Sequence, residues 1–325
     1  MRIRKTVSLL LFLSLPVIVI SQSVSGSATA SGLNSATTPL AADIKAAIEY
    51  GHENPGTPYH LRTNCTDDKG IRGFKLYPDG VAIWNKRIQI RVPESIRTGL
   101  LQDLLKASFY DLEPSYGGKK RLEEPKAGFR VSCQVWLEIG ETQKLSVQQA
   151  DGEQSAQLKG LAAALLNRVE PLLKDGLSAR SLQDGLDKLV KGELAPQTFR
   201  LRYIELPPKG DVTSGFILRI LDGTASRQAY SPGHPPGPEL KAPLKHCDLI
   251  RLSTAIKAAD MGGLPNNLWS DSQIELEVEI LGYKKAVLAR PFSRLRSQDK
   301  GVEQQRFDEL IAVLQPFDPQ AGCDN

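Results

Sequence analysis

The phrase "GFKLYPDG", Gly73 to Gly80, is written again about 140 residues later as "GFILRILDG", Gly215 to Gly223. No other feature of the sequence limits the fold as tightly, because the neighbouring phrases recur in the same order. "YHLRTNC", Tyr59 to Cys65, and "FRLRYIEL", Phe199 to Leu206, share an x-L-R core at an offset of 140. By the Asp-Gly turns, at Gly80 and Gly223, the offset is 143. In a later strand of the first copy Val131, Cys133, Val135, Leu137 and Ile139 alternate with polar or exposed-type residues. In the second, Ile274, Leu276, Val278 and Ile280 alternate with glutamates. The closing helices "LLNRVEPLL" and "LIAVLQPFD" set Pro171 over Pro316. A creeping offset with preserved order is what loop insertions do to a duplicated domain.

Alternation with a period of two marks strands with one face in a core and one in water, whereas Ile96, Leu100, Leu101, Leu104, Leu105 and Phe109 mark a helical face. The fold class that follows is α+β, a tandem duplication of a strand, hairpin, helix, hairpin, helix unit. Each copy is expected to be an antiparallel sheet with helices on one face. The expected boundaries are 1–30 for a leader region, 31–56 for a segment with a short helix, 57–176 for the first repeat, 177–196 for a linking helix, 197–319 for the second repeat and 320–325 for a tail. The linking helix carries Leu182, Leu186, Leu189 and Val190 on one side. The insertion "YSPGHPPGPELKAPLK", Tyr230 to Lys245, is too rich in proline and glycine for a helix or central strand and reads as an exposed, semi-rigid loop.

Arg2, Arg4 and Lys5 lead into the apolar run "LLLFLSLPVIVI", which is the pattern of an export signal, with cleavage between Ser21 and Ala30. The apolar run is shorter than the roughly 20 residues a membrane span needs. No membrane span is therefore expected once the leader is removed. Removing those three basic residues takes Lys+Arg from 41 to 38 against 37 Asp+Glu. A near-neutral chain lacks the basic excess of a nucleic-acid binder, and only Tyr283 to Lys300 leans basic. An exported protein, periplasmic or secreted, permits disulfides. Cys65, Cys133, Cys247 and Cys323 allow three pairings. Cys65 with Cys133 and Cys247 with Cys323 is the favoured one, since it keeps each bridge inside one repeat.

A cysteine followed by a G-x-x-Y-like strand and a D-G turn, then "ESIRTGLLQDLLKASFYDLEPSY" and "VWLEIGETQKLSV", is similar to a bacterial family of exported domains of unknown function. The likeness covers about a third of the chain. That family usually has a second cysteine in a C-x-G-x-C-P-like run, where "CTDDKGIRGF" has Cys65 alone. Since the family has no assigned activity, the resemblance implies no functional residues here.

The sequence contains no G-x-S-x-G, H-E-x-x-H or glycine-rich phosphate loop. The spacing of His52, Glu53 and His60 fits no common metal pattern, and neither cofactor nor metal is expected. In "KHCD", Lys245 to Asp248, the cysteine reads as a disulfide partner rather than a nucleophile. "NCT", Asn64 to Thr66, matches a glycosylation acceptor, and Trp84 and Trp136 read as core. Trp269, in a loop after "GGLPNN", and His234, in the proline-rich insertion, are the expected partner contacts. The functional expectation is a non-enzymatic binding or structural protein of the cell envelope, with a protein or glycan partner. The alternative is an unfamiliar hydrolase sited between the repeats, using Glu53, Asp67, Asp68 and His60.

Overall fold

The computed structural model describes residues 39–53, 59–67, 70–116, 131–149, 155–206, 215–231, 235–291, 301–321 and 323. The leader, Asp68, His234 and the basic residues 292–300 lie outside them. The first unit runs α1 (Pro39–Glu53), β1 (Tyr59–Asp67), β2 (Gly70–Leu76), β3 (Val81–Trp84), β4 (Ile88–Arg91), α2 (Glu94–Lys106), β5 (Ser115–Tyr116), β6 (Val131–Ile139), β7 (Thr142–Gln149) and α3 (Ala156–Val169). A short strand, β8 (Leu177–Ser178), follows. The second unit runs α4 (Leu182–Val190), β9 (Phe199–Leu206), β10 (Gly215–Leu221), β11 (Thr224–Tyr230), β12 (Glu239–Pro243), α5 (His246–Ala258), β13 (Asn267–Trp269), β14 (Gln273–Ile280), β15 (Tyr283–Arg290) and α6 (Val302–Leu314).

Duplication is written in the strand orders. One sheet reads β5-β7-β6-β1-β2-β3-β4 and the other β13-β15-β14-β9-β10-β11-β12, with β8 added to the free edge of β4. Every pairing is antiparallel except β5 with β7 and β13 with β15, which are parallel in both copies. The inner face of each sheet shares one hydrophobic cluster with the helices of its own unit. Tyr59 opposite Ile139 and Phe199 opposite Ile280 hold the same place in the two cores.

The structure enlarges the expected repeat. Each copy has a further hairpin strand, β4 or β12, and a short parallel edge strand, β5 or β13. The insertion expected to be a loop gives its second half to β12, which pairs with β11. As an edge strand, β12 tolerates Pro243, whose missing N–H spoils no inner ladder. A four-residue β4 and a proline-flanked β12 are too short to announce themselves by alternation. Helix α4 contributes Leu182, Leu186 and Leu189 to the second core, and α1 contributes Leu40 and Ile44 to the first. Trp84 is buried and stacks on Phe74, with ring centroids 6.2 Å apart. Trp136 is not in the core: it lies half-buried on the outer face, because it takes the polar phase of β6.

The repeated "GF" has a steric cause. A Cβ on Gly73 would lie 2.7 Å from the Asn64 Cβ, and one on Gly215 would lie 2.0 Å from the Glu205 carbonyl oxygen. Both glycines let the next strand approach. Asp222 and Gly223, at φ +55° and +75°, make a two-residue turn between β10 and β11 of the kind Asp-Gly favours. Gly215→Ala is expected to cost about 1–3 kcal/mol, because the obstacle is backbone and cannot rotate away. Chemical denaturation of the variant checks it, and an unchanged midpoint would count against this register.

Both expected disulfides form. Cys65–Cys133 joins directly opposed positions of β1 and β6, with Cα atoms 4.1 Å apart. Cys247–Cys323 ties the first turn of α5 to the tail, with Cα atoms 6.3 Å apart. Among the described residues, no helix is long and apolar enough to cross a membrane.

Candidate functional site

The outer, helix-free faces of the two sheets carry different chemistry, and the duplication allows them to be compared position by position. In the second copy, Arg202 of β9 pairs with Glu275 of β14 at 3.7 Å, Arg200 approaches Glu279 at 4.0 Å, and Lys284 of β15 holds Glu277 at 2.7 Å. On β9, β14 and β15 each of these cations has a glutamate, whereas Arg219 of β10, directly opposite Arg202 on the same face, has no ion-pair partner among the described residues. In the first copy, the cross-strand registers place Arg62 at the position of Arg202, Gln134 at Glu275, Trp136 at Glu277 and Glu138 at Glu279. Two of three carboxylates are replaced. Arg62 is left exposed and, among the described residues, without an ion-pair partner.

The turn of β10 and β11 docks on this same face. Lys75 Nζ donates to Asp222 Oδ2 at 2.5 Å, and the Tyr77 hydroxyl donates to Asp222 Oδ1 at 2.6 Å. Around them, the Gln89 side chain donates to the Glu193 carbonyl and accepts from the Ala195 N–H. The Gln197 amide donates to Asp79. Ile83 of β3 packs against the second core. Both sheets lie within one compact unit, so these contacts fix one copy on the other.

Burial alone would raise the Asp222 carboxyl, but the bonds from Lys75 and Tyr77 outweigh it and hold the group below the usual carboxylate range. Burial, reinforced by the bond to Asp222, pushes the Tyr77 phenol far up, so it remains a neutral donor. These three groups form a structural tie rather than a proton-transfer pair.

Beside the tie opens a cleft of about 610 Å³, within the size range of ligand sites. Both copies build it: the first supplies Arg62, Asn64, Ile71, Lys75 and Lys86, among others, and the second Arg200, Leu221 and Asp222. Of its charged side chains four are cations and one is an anion, which Lys75 already engages. Lys86 sits at φ +60° in the β3–β4 turn and, like Arg62, has no ion-pair partner among the described residues. Asn85 closes the turn: its side chain accepts from the Gly73 N–H and donates to the Ile71 carbonyl. Asn64 Oδ1 is buried without a hydrogen-bond partner. Ile71 and Leu221 stand 73 % and 48 % exposed on the wall.

No family model matches this chain. Nor does any curated protein. The resemblance of the first repeat to exported domains therefore rests on the residues quoted for it, and the site is read from its own chemistry.

The sequence-derived candidates are scattered. Trp269 is 52 % exposed and lines a different cleft, of about 540 Å³, between β13 and α6. Its backbone is clamped by Gln304, whose amide accepts from the Trp269 N–H and donates to the Trp269 carbonyl. All four cysteines are bridged. Cys247, Asp248 and Cys323 cluster, but their sulfurs are committed to the bridge. Of the residues expected for a hydrolase, His60 and Asp67 stand seven places apart on one strand, about 23 Å at the usual rise. The side chains of His52, Glu53 and Asp67 lie outside the described residues. Sequence reasoning passed over Arg62, Lys86 and Arg200. The signal was the glutamate-rich phase of β14, absent from β6.

His60 packs edge-on against Tyr77 and Trp136, with centroids 5.8 and 6.3 Å away. Burial lowers its pKa below 6.5, only partly countered by Glu138. A depressed base binds its proton more weakly in the folded state, so its contribution is complete above 6.5. It is lost as pH falls from 6.5 toward the folded value. Wild type should lose stability as pH falls below about 6.5, and His60→Gln should show a smaller slope there. Equal slopes in denaturant titrations would contradict this environment for His60.

Proposed function

We propose that the protein is an exported, non-enzymatic binding protein of the cell envelope whose ligand site is the cleft at the junction of its two repeats, and that the ligand is anionic. The observation that carries this reading is the cleft to which both copies contribute: Arg202 has Glu275, while its counterpart Arg62 stands with Lys86, neither with an ion-pair partner among the described residues, beside Arg200. Cations gathered in a cleft raise the local concentration of an anion and strengthen its contacts. The basic leader pattern and two disulfides are compatible with export. Titratable groups in the cleft are cations, a tied Asp222 and a strongly protonated Tyr77, a set suited to recognition.

Two experiments test it. Fusing residues 1–30 to a reporter active only outside the cytoplasm should give activity, with cleavage between Ser21 and Ala30; an inactive reporter would refute export. Affinity capture from native envelope extract should retain an anionic component with wild type and lose it with Arg62→Glu, whatever the class of that component. Equal retention by both would remove the cleft from the reading.

A further inference from the structure

We infer that the ligand of this cleft is an acidic peptide segment of another protein that carries both carboxylate and aliphatic side chains, an inference that rests on the binding reading above. Three features of the wall select it. Arg62 and Lys86 ask for negative charge. Ile71 and Leu221, two of the few large apolar side chains left well exposed, ask for an apolar group on the same ligand. The aromatic rings that line the cleft, Phe74 and Tyr77, are both buried in their own sheet and leave no face on which a sugar ring can stack.

An acidic oligosaccharide satisfies the first demand and leaves Ile71 and Leu221 in water. A fatty-acid anion brings one carboxylate for the two cations and an acyl chain longer than Ile71 and Leu221 can cover. A peptide satisfies both at once, with several carboxylates for the cations and short aliphatic side chains for Ile71 and Leu221. Asn85 occupies the hydrogen-bonding edge of β2, taking the Gly73 N–H and the Ile71 carbonyl. The peptide therefore lies across the face and is held by side chains, so selectivity follows its charge and apolar content.

The test uses the purified full chain with both disulfides intact and a fluorescein-labelled decapeptide of alternating Glu and Leu, read by anisotropy. Two peptides of equal length, Gln-Leu and Glu-Ser, and a labelled oligogalacturonate serve as comparisons. The expected result is saturable binding of the Glu-Leu peptide, weakened about tenfold or more with the Gln-Leu peptide and with Arg62→Gln, the loss of a charge-assisted contact. Ile71→Ser should weaken the Glu-Leu peptide and leave the Glu-Ser peptide unchanged. Both substitutions are at exposed side chains, and unchanged thermal melting confirms that each variant is folded. If oligogalacturonate binds in an Arg62-dependent way and the peptide does not, the peptide inference is overturned and the anion-binding reading stands. If Glu-Leu and Gln-Leu peptides bind alike, the inference is overturned. If, in addition, envelope capture is indifferent to Arg62→Glu, the binding reading falls with it.

Discussion

Replacing Cys65 and Cys133 together by serine is expected to lower the unfolding free energy by about 4 kcal/mol. The bridge closes a sequence separation of 68 residues, and the entropy that such a loop loses in the unfolded chain is the larger part of that figure. Burial adds to it. Both sulfurs lie in the first core, at opposed positions of the two strands on which the sheet is built, so two hydroxyls would take the place of a bridge among apolar neighbours. The corresponding place in the second copy, Glu205 opposite Ile274, has no bridge, so the loss should be specific to the first unit. Denaturant titration of the oxidised wild type against the double variant measures it. A loss under about 1 kcal/mol would mean that the bridge does not constrain the unfolded chain as supposed.

Phe199→Ala should cost about 3–5 kcal/mol. Phe199 is fully buried at the start of β9, opposite Ile280 of β14, in the cluster that α4, α5 and α6 close. The cluster it belongs to draws on β9, β10, β14 and the helices α4, α5 and α6, each held by its own ladder or helix bonds, so a cavity there persists. The counterpart in the first unit is Tyr59, whose hydroxyl donates to the Arg97 carbonyl at 2.9 Å. Two copies thus solve one packing position with rings of similar size, one of which carries a polar tip. Thermal unfolding of Phe199→Ala would show the loss, and a shift of only a degree or two would argue against a closed core there.

Much of this fold was legible because duplication supplies its own control. Alternating phases in β6 and β14, the Asp-Gly turns and the paired prolines after α3 and α6 mark the same elements twice. What escaped reading has physical reasons. The short strands β4, β5, β12 and β13 are two to five residues long and take their conformation from a neighbour rather than from an apolar pattern. Trp136 was expected inside because of its size, yet its phase on β6 puts it outside with Arg62, and phase decides. Both disulfides followed from keeping each bridge within one repeat. The cleft was not foreseen, since it depends on how the turn carrying Asp222 meets Lys75 and Tyr77, some 145 residues away in sequence. Its chemistry was nonetheless present in the text of the two strands, as the glutamates of one and the Gln134 and Trp136 of the other.

That last difference yields the most direct test. Gln134→Glu restores to the first copy the carboxylate that Glu275 provides in the second, where it holds Arg202. If an unpaired Arg62 is what binds the ligand, the variant should bind the Glu-Leu peptide and the captured envelope ligand about tenfold more weakly than wild type, with no loss of stability. Undiminished binding of both by Gln134→Glu would contradict the claim that the two copies diverged to leave this charge free.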